Sequence, residues 1–144
     1  DVTVQAQVLQ LLAGLRREFG LSLLLITHDL GVMAQVCDRA LVMYAGRCVE
    51  HGTAAELLAA PRHPYTRGLL NSRPRLDRPV SRRLSAIAGS AANAAAGGCA
   101  FAPRCPSRAA ACSASLPLEQ SGSAGGFSCH FPLPGANAVA PAEK

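Results

Sequence analysis

The chain has 144 residues, 49% of them apolar and only 4% aromatic, so its core is aliphatic and no larger than one domain. Its net charge of +5 is uneven: residues 1–70 carry six cations and six anions, residues 71–144 eight against three. The one lysine is Lys144, which excludes a G-x-x-x-x-G-K-[ST] phosphate loop, since nothing is there to be its lysine.

Residues 2–19 read as an amphipathic helix, with Val4, Val8, Leu11, Leu12 and Leu15 on one 3.6-residue stripe. Gly20 stops it, and Arg16 and Arg17 sit in the last turn, where the helix dipole favours cations. Leu21 to Thr27 is short and nearly all apolar, the pattern of a central parallel strand covered by helices on both faces. Asp29 can cap a second helix running to about Cys37. Ala40 to Tyr44 and Arg47 to His51 read as a hairpin around Ala45-Gly46. Thr53-Ala-Ala-Glu56 is a capping box opening a helix that Pro61 closes, and Tyr65 to Leu70 adds one or two turns.

After Asn71 the character changes. Five arginines (73, 75, 78, 82 and 83) make a basic connector, and Ile87 to Gly98 is an Ala- and Gly-rich linker. Cysteines cluster from Cys99 to Cys129, and the Pro- and Ala-rich tail after Phe131 is expected to be disordered. The chain therefore divides into residues 1–70, 71–98, 99–130 and 131–144. Helix, buried strand, helix, strand and hairpin strand make half of an α/β sheet without its beginning. With Asp1 in place of a starting Met and no signal region, the chain reads as processed or as the tail of something longer. Its longest apolar run, Leu21 to Ile26, is far below the roughly 20 residues that span a bilayer, so a soluble chain, or one peripheral to a membrane, is expected.

Two places carry chemistry. His28 follows the predicted strand at its carboxyl end, where open α/β sheets bind ligands, and its ring can serve a phosphate or a water. The plainer reading is that Thr27-His28-Asp29 only caps the next helix. Cys99, Cys105, Cys112 and Cys129 form the other place, with the pattern of a four-ligand site. Structural zinc sites usually open with a pair of cysteines two to four residues apart, and none occurs here. An iron–sulfur core accepts wider spacing. Cluster, zinc and unligated thiols all stay open on spacing alone. Cys37 and Cys48 read as small buried hydrophobes; His51 and His130 could be ligands but read as surface residues, having no spaced partner, and Arg104 could donate to a sulfur of the four-cysteine site but reads as solvated.

Several stretches are similar to one family. Asp1-Val-Thr-Val-Gln-Ala-Gln-Val-Leu, Leu24-Leu-Ile-Thr-His-Asp-Leu-Gly31, Asp38-Arg39 and Val42-Met-Tyr-Ala-Gly-Arg47 closely resemble the ATP-binding subunits of ABC transporters of the dipeptide/oligopeptide class. Arg62-His-Pro-Tyr-Thr-Arg-Gly-Leu-Leu70 resembles the C-terminal extension of that class, known by its His-Pro-Tyr tripeptide. The resemblance implies the C-terminal part of an ABC-type nucleotide-binding domain followed by a small cysteine-rich extension. It matches Asp1 to the D-loop aspartate at the dimer interface, and His28 to the switch histidine that approaches the γ-phosphate of ATP bound with Mg. Such positioning is most of phosphoryl-transfer catalysis. The phosphate loop, signature motif and catalytic glutamate are absent, so this chain alone should not hydrolyse ATP.

The resemblance further implies a second ATP-binding subunit and transmembrane permease partners, with no nucleic acid, and a place at the cytoplasmic face of the membrane. Disulfides are rare there. Similar extensions, with Gly-x-Cys-x-Phe-x-x-Arg-Cys-Pro as in Gly97 to Pro106, hold a [4Fe–4S] cluster. The solute expected for the complete importer is a dipeptide, an oligopeptide or nickel. A rival from another class is a stand-alone, non-enzymatic metal- or cluster-binding module, supported by the missing phosphate loop and the compact cysteine set.

Overall fold

The computed structural model describes residues 2–72, 87–90, 95, 97–122 and 125–135. Asp1, the arginines at 73–83, part of the Ala/Gly linker and the end of the tail lie outside the described residues. The chain forms two units, Asp1–Cys37 and Asp38–Lys144.

In the first unit, α1 runs Val2–Phe19 with Arg16 and Arg17 in its last turn. Gly20 turns to φ 62°, and the Leu21 amide returns to the Arg16 carbonyl at 3.1 Å, closing the helix as the sequence predicts. α2 spans Leu30–Val36 and is capped by Asp29, whose carboxylate accepts from Gly31 (2.6 Å) and Val32 (3.4 Å). The parallel strand predicted over Leu21–Thr27 does not form. That stretch joins no sheet, and Leu24 and Ile26 are 88% and 92% exposed. A strand exists only by pairing, and this stretch enters none of the described strand pairs. The apolar stripe of α1 is real, but Val4, Val8 and Leu11 are exposed along it.

The second unit is built on a four-stranded antiparallel sheet in the order β1-β2-β4-β3. β1 (Arg39–Tyr44) and β2 (Arg47–Thr53) are the predicted hairpin, with Ala45 and Gly46 both at positive φ in the turn and a register shift between Val42 and Met43. Thr53 caps α3 (Ala54–Ala59), accepting from the Glu56 amide at 3.3 Å and donating to the Glu56 carboxylate at 2.6 Å. α4 (Pro64–Asn71) follows, then a 3₁₀ turn at Ala102–Arg104 and the short α5 (Ala110–Ala114). β3 (Glu119–Ser121) and β4 (Gly126–Ser128) complete the sheet, β4 docking on β2.

Val42, Tyr44, Val49, Leu57 and Phe101 make the core, with Tyr65, Leu69, Ile87, Cys99 and Cys105 packed against it. The core is thus less aliphatic than composition suggests: Tyr44, Tyr65 and Phe101 meet edge-on or tilted at 4.7–5.2 Å. The boundary drawn between residue 70 and the cysteine segment is no structural break, because both sides share one sheet and one core. Nor is the start of the tail loose. Leu133 exchanges two hydrogen bonds with Arg62, its amide to the Arg62 carbonyl and its carbonyl from Nε, each 2.8 Å. Among the described residues, no helix is long and apolar enough to cross a membrane.

Candidate functional site

Of the four cysteines predicted as a set, Cys99 and Cys112 meet through the backbone. The Cys99 amide donates to the Cys112 carbonyl at 2.8 Å, which lays the loop at 97–99 along α5. Glycine is required there, since a Cβ on Gly98 would overlap that same carbonyl oxygen. The 3₁₀ turn then carries the chain from Cys99 to Cys105, and β4 delivers Cys129. Cys112 and Cys129 are buried, Cys99 and Cys105 half-buried, and all six cysteines are free thiols.

Burial pushes the Cys129 thiol up to about 11, and the fields of Cys99, Cys105 and Cys112 push it the same way. Burial also raises Cys99 and Cys105, each with help from its neighbours in the set. Against this, backbone amides are aimed at three of the sulfurs: Phe101 and Ala102 at Cys99, Ser107 at Cys105, and Phe131 at Cys129. Amides directed at sulfur stabilise thiolate, the form that binds metal. The donor chemistry therefore fits a thiolate-held group, although no three His, Cys, Asp or Glu among the described residues close to the separation that holds one ion. A pocket of about 310 Å³ opens beside Cys99, with Cys48, Val49, Leu116 and Pro117 in its walls.

The cysteine set is fixed to the hairpin through the His-Pro-Tyr turn. Pro64 opens α4, and His63 caps it by accepting the Tyr65 amide on Nδ1 at 3.0 Å. That bond leaves the proton on Nε2. His63 is 1% exposed and stacks at 5.9 Å from Phe101, and burial lowers its pKa to about 4. Tyr65 adds its ring to Tyr44 and Phe101. Beneath the turn, the buried carboxylate of Glu50 accepts the amides of Arg62 and His63, the latter at 3.0 Å. Sequence reasoning missed this clamp; a lone glutamate at the end of a Cys-Val-Glu run carries no periodic signal.

Other side chains differ from their sequence readings. Arg104 neither reaches a sulfur nor floats in solvent. It holds the linker through the carbonyls of Ala88 (2.8 Å) and Ile87 (3.0 Å) and reaches the Tyr44 hydroxyl. His51 pairs with Glu119 at 2.9 Å, and His130 donates to the Ser115 carbonyl at 3.0 Å. Cys37 and Cys48 are half-buried rather than buried. His28, in the other unit, is exposed beside the cap formed by Thr27 and Asp29, where the Asp29 amide donates to the Thr27 hydroxyl at 2.9 Å. The capping role is thus formed. Asp1 lies outside the described residues.

Residues 49–112 match the family described as the oligopeptide/dipeptide transporter, C-terminal region. That stretch opens on β2 and ends on Cys112, so it takes in the Glu50 clamp, the His-Pro-Tyr turn and three of the four clustered cysteines. The chain is 50% identical over 121 residues to the oligopeptide transport ATP-binding protein OppD of Salmonella typhimurium, covering 83% of this chain and 36% of that protein. It is 51% identical over 108 residues to AppD, an oligopeptide transport ATP-binding protein of Bacillus subtilis (74% of this chain, 33% of that one). It is 49% identical over 114 residues to DppD, a dipeptide transport ATP-binding protein of the same organism (78% and 34%). The chain spans about a third of the length of these relatives. By its own C-terminal turn and by half-identity along most of its length, the chain is similar to the oligopeptide and dipeptide transport ATP-binding proteins, with residues 49–112 matching the C-terminal region of that transporter family.

Proposed function

We propose that this chain is part of the ATP-binding subunit of a peptide importer, which energises passage of a dipeptide or oligopeptide by hydrolysing ATP with Mg. The observation that carries the reading is the half-identity to three transport ATP-binding proteins together with the match at residues 49–112. In the complete subunit His28 approaches the γ-phosphate and orients the attacking water, and Asp1 stands at the interface with a second ATP-binding subunit. Its exposure and its place just after the apolar stretch 21–27 leave the His28 ring available for that contact. The pair of subunits docks on transmembrane permeases at the cytoplasmic face of the membrane. The test is His28→Ala in a subunit that also carries the phosphate loop, signature motif and catalytic glutamate. Turnover is expected to fall at least a hundredfold with nucleotide binding kept. Turnover like that of the unsubstituted subunit would remove the role given to His28.

Within that reading, Cys99, Cys105, Cys112 and Cys129 hold a [4Fe–4S] cluster. Four thiols within one segment, with amides aimed at three of them, support this, and their wide spacing along the chain suits a larger inorganic core. The cluster would supply one-electron chemistry or a cross-link between the 3₁₀ turn, α5 and β4. The protein's part is to hold four sulfurs and shield two of them from water. Anaerobically purified chain is expected to carry about four iron and four sulfide, lost on Cys105→Ser. Since burial holds the free thiols protonated, loading releases protons and weakens as pH falls. One zinc per chain, or no metal, would overturn the cluster.

A further inference from the structure

Little backbone holds the β3–β4 hairpin to the rest of the sheet. β4 pairs with β2 at two positions, Glu50 with Phe127 and His51 with Gly126. β3 is a three-residue edge strand with every residue exposed. A side-chain contact spans β4: Nε2 of His51 on β2 donates to Oε1 of Glu119 on β3, two strands away, at 2.9 Å. It crosses because the strand between carries glycine. A Cβ on Gly126 would stand 2.8 Å from His51 Nε2 and 2.7 Å from Glu119 Oε1, in the path of the contact. The hairpin then ends on Cys129, whose carbonyl accepts from Gln120 Nε2 at 2.9 Å.

We propose that His51 and Glu119 form a proton-dependent latch, reaching through the window left by Gly126, which fixes the β3–β4 hairpin and with it the approach of Cys129 to the other thiols. The latch stands on geometry alone; only its consequence for Cys129 rests on the cysteine-site reading above.

The groups facing His51 are few. From β3 come Glu119 and the Ser121 hydroxyl, which donates to Glu119 Oε1 at 3.2 Å. The β4 side presents the backbone of Gly125 and Gly126, and β1 sets Leu41 opposite. On its own strand, Glu50 is committed to the amides of Arg62 and His63, while the Cys48 thiol lies in the fields of Glu119 and Glu50. Nothing else charged competes for Glu119 among these. With the imidazole protonated the contact is a charge-assisted bond, and with it neutral an ordinary one, about half as strong. The bond from His51, and then that from Ser121, holds the Glu119 carboxyl below its usual range, so the acid side of the pair stays ionised. The latch is therefore tightest with the imidazole charged and the carboxylate ionised, and slackens as the imidazole loses its proton.

Amide hydrogen exchange of residues 119–128 in the metal-free full chain tests this, with rates corrected for intrinsic base catalysis. An exposed ion pair predicts a two- to fivefold fall in protection from pH 5.5 to 8. His51→Gln keeps a neutral donor and Glu119→Gln a neutral acceptor; both are expected to show low, flat protection across that range. A pulse of a methanethiosulfonate reagent, reading Cys129 against Cys105 in one sample, is expected to label Cys129 relatively faster at pH 8 in wild type, with no such change in His51→Gln. Wild-type protection flat with pH, or a pH dependence that survives His51→Gln, would overturn the latch. A chain that binds neither iron nor zinc yet keeps the predicted exchange profile upholds the latch and overturns only the cysteine-site reading.

Discussion

Residues 2–37 and residues 38–135 solve the same problem with unequal success. Both begin with a predictable apolar pattern, and both cap their helices with a short polar side chain. In the second unit that pattern meets a partner: Val42, Val49 and Leu57 close over Phe101, and the hairpin finds β4. In the first, α1 and the stretch 21–27 keep much of their apolar surface in solvent. Local sequence is enough to make a helix or a cap. A strand and a core require something on the other side.

Substitutions sharpen that contrast. Phe101, 2% exposed and in contact with three rings, is the largest fully buried side chain among the described residues. Phe101→Ala should cost about 3–5 kcal/mol in urea unfolding, enough to melt that unit. Leu24→Ala, a loss of about half as many apolar carbons at an exposed position, should stay within about 0.5 kcal/mol. Equal costs would break the comparison.

The next effect is one of pH. Because burial lowers the His63 pKa to about 4 from its ordinary 6.5, the unfolded chain binds a proton that the folded one refuses. The stabilisation is complete above about pH 6.5 and is lost as pH falls toward 4, for a total of about 3 kcal/mol. His63→Asn retains a capping side chain and should flatten the profile over that interval. Urea midpoints at pH 4, 5.5 and 7 decide it.

The smallest effect compares two caps. Thr53→Ala removes the hydroxyl that links it to Glu56 and should cost about 1 kcal/mol of global stability. Asp29→Ala removes a similar cap from α2, and its loss should appear only as faster local exchange over residues 30–36.

The same division explains what the sequence could tell. Caps, the α1 stop and the hairpin turn were legible because each is fixed within five residues of chain, as at Thr53 and Glu56 or Arg16 and Leu21. The grouping of the four cysteines rests on their clustering along the chain. The Glu50 clamp joins positions 12 apart and the His51–Glu119 contact positions 68 apart, so no local pattern marks them. β3 and β4 are three residues each, too short to show alternation. Leu21–Thr27 misled for the opposite reason: its composition suits a strand, but pairing decides, and its composition carries no information about a partner.

The most direct test of the contrast is native-state hydrogen exchange of the whole chain, read residue by residue. The strongest protection is predicted in β1, β2 and α4, with residues 21–27 exchanging nearly as fast as an unfolded peptide. Protection of 21–27 equal to that of the hairpin would contradict the account, because it would mean that the stretch is paired and buried in this chain after all.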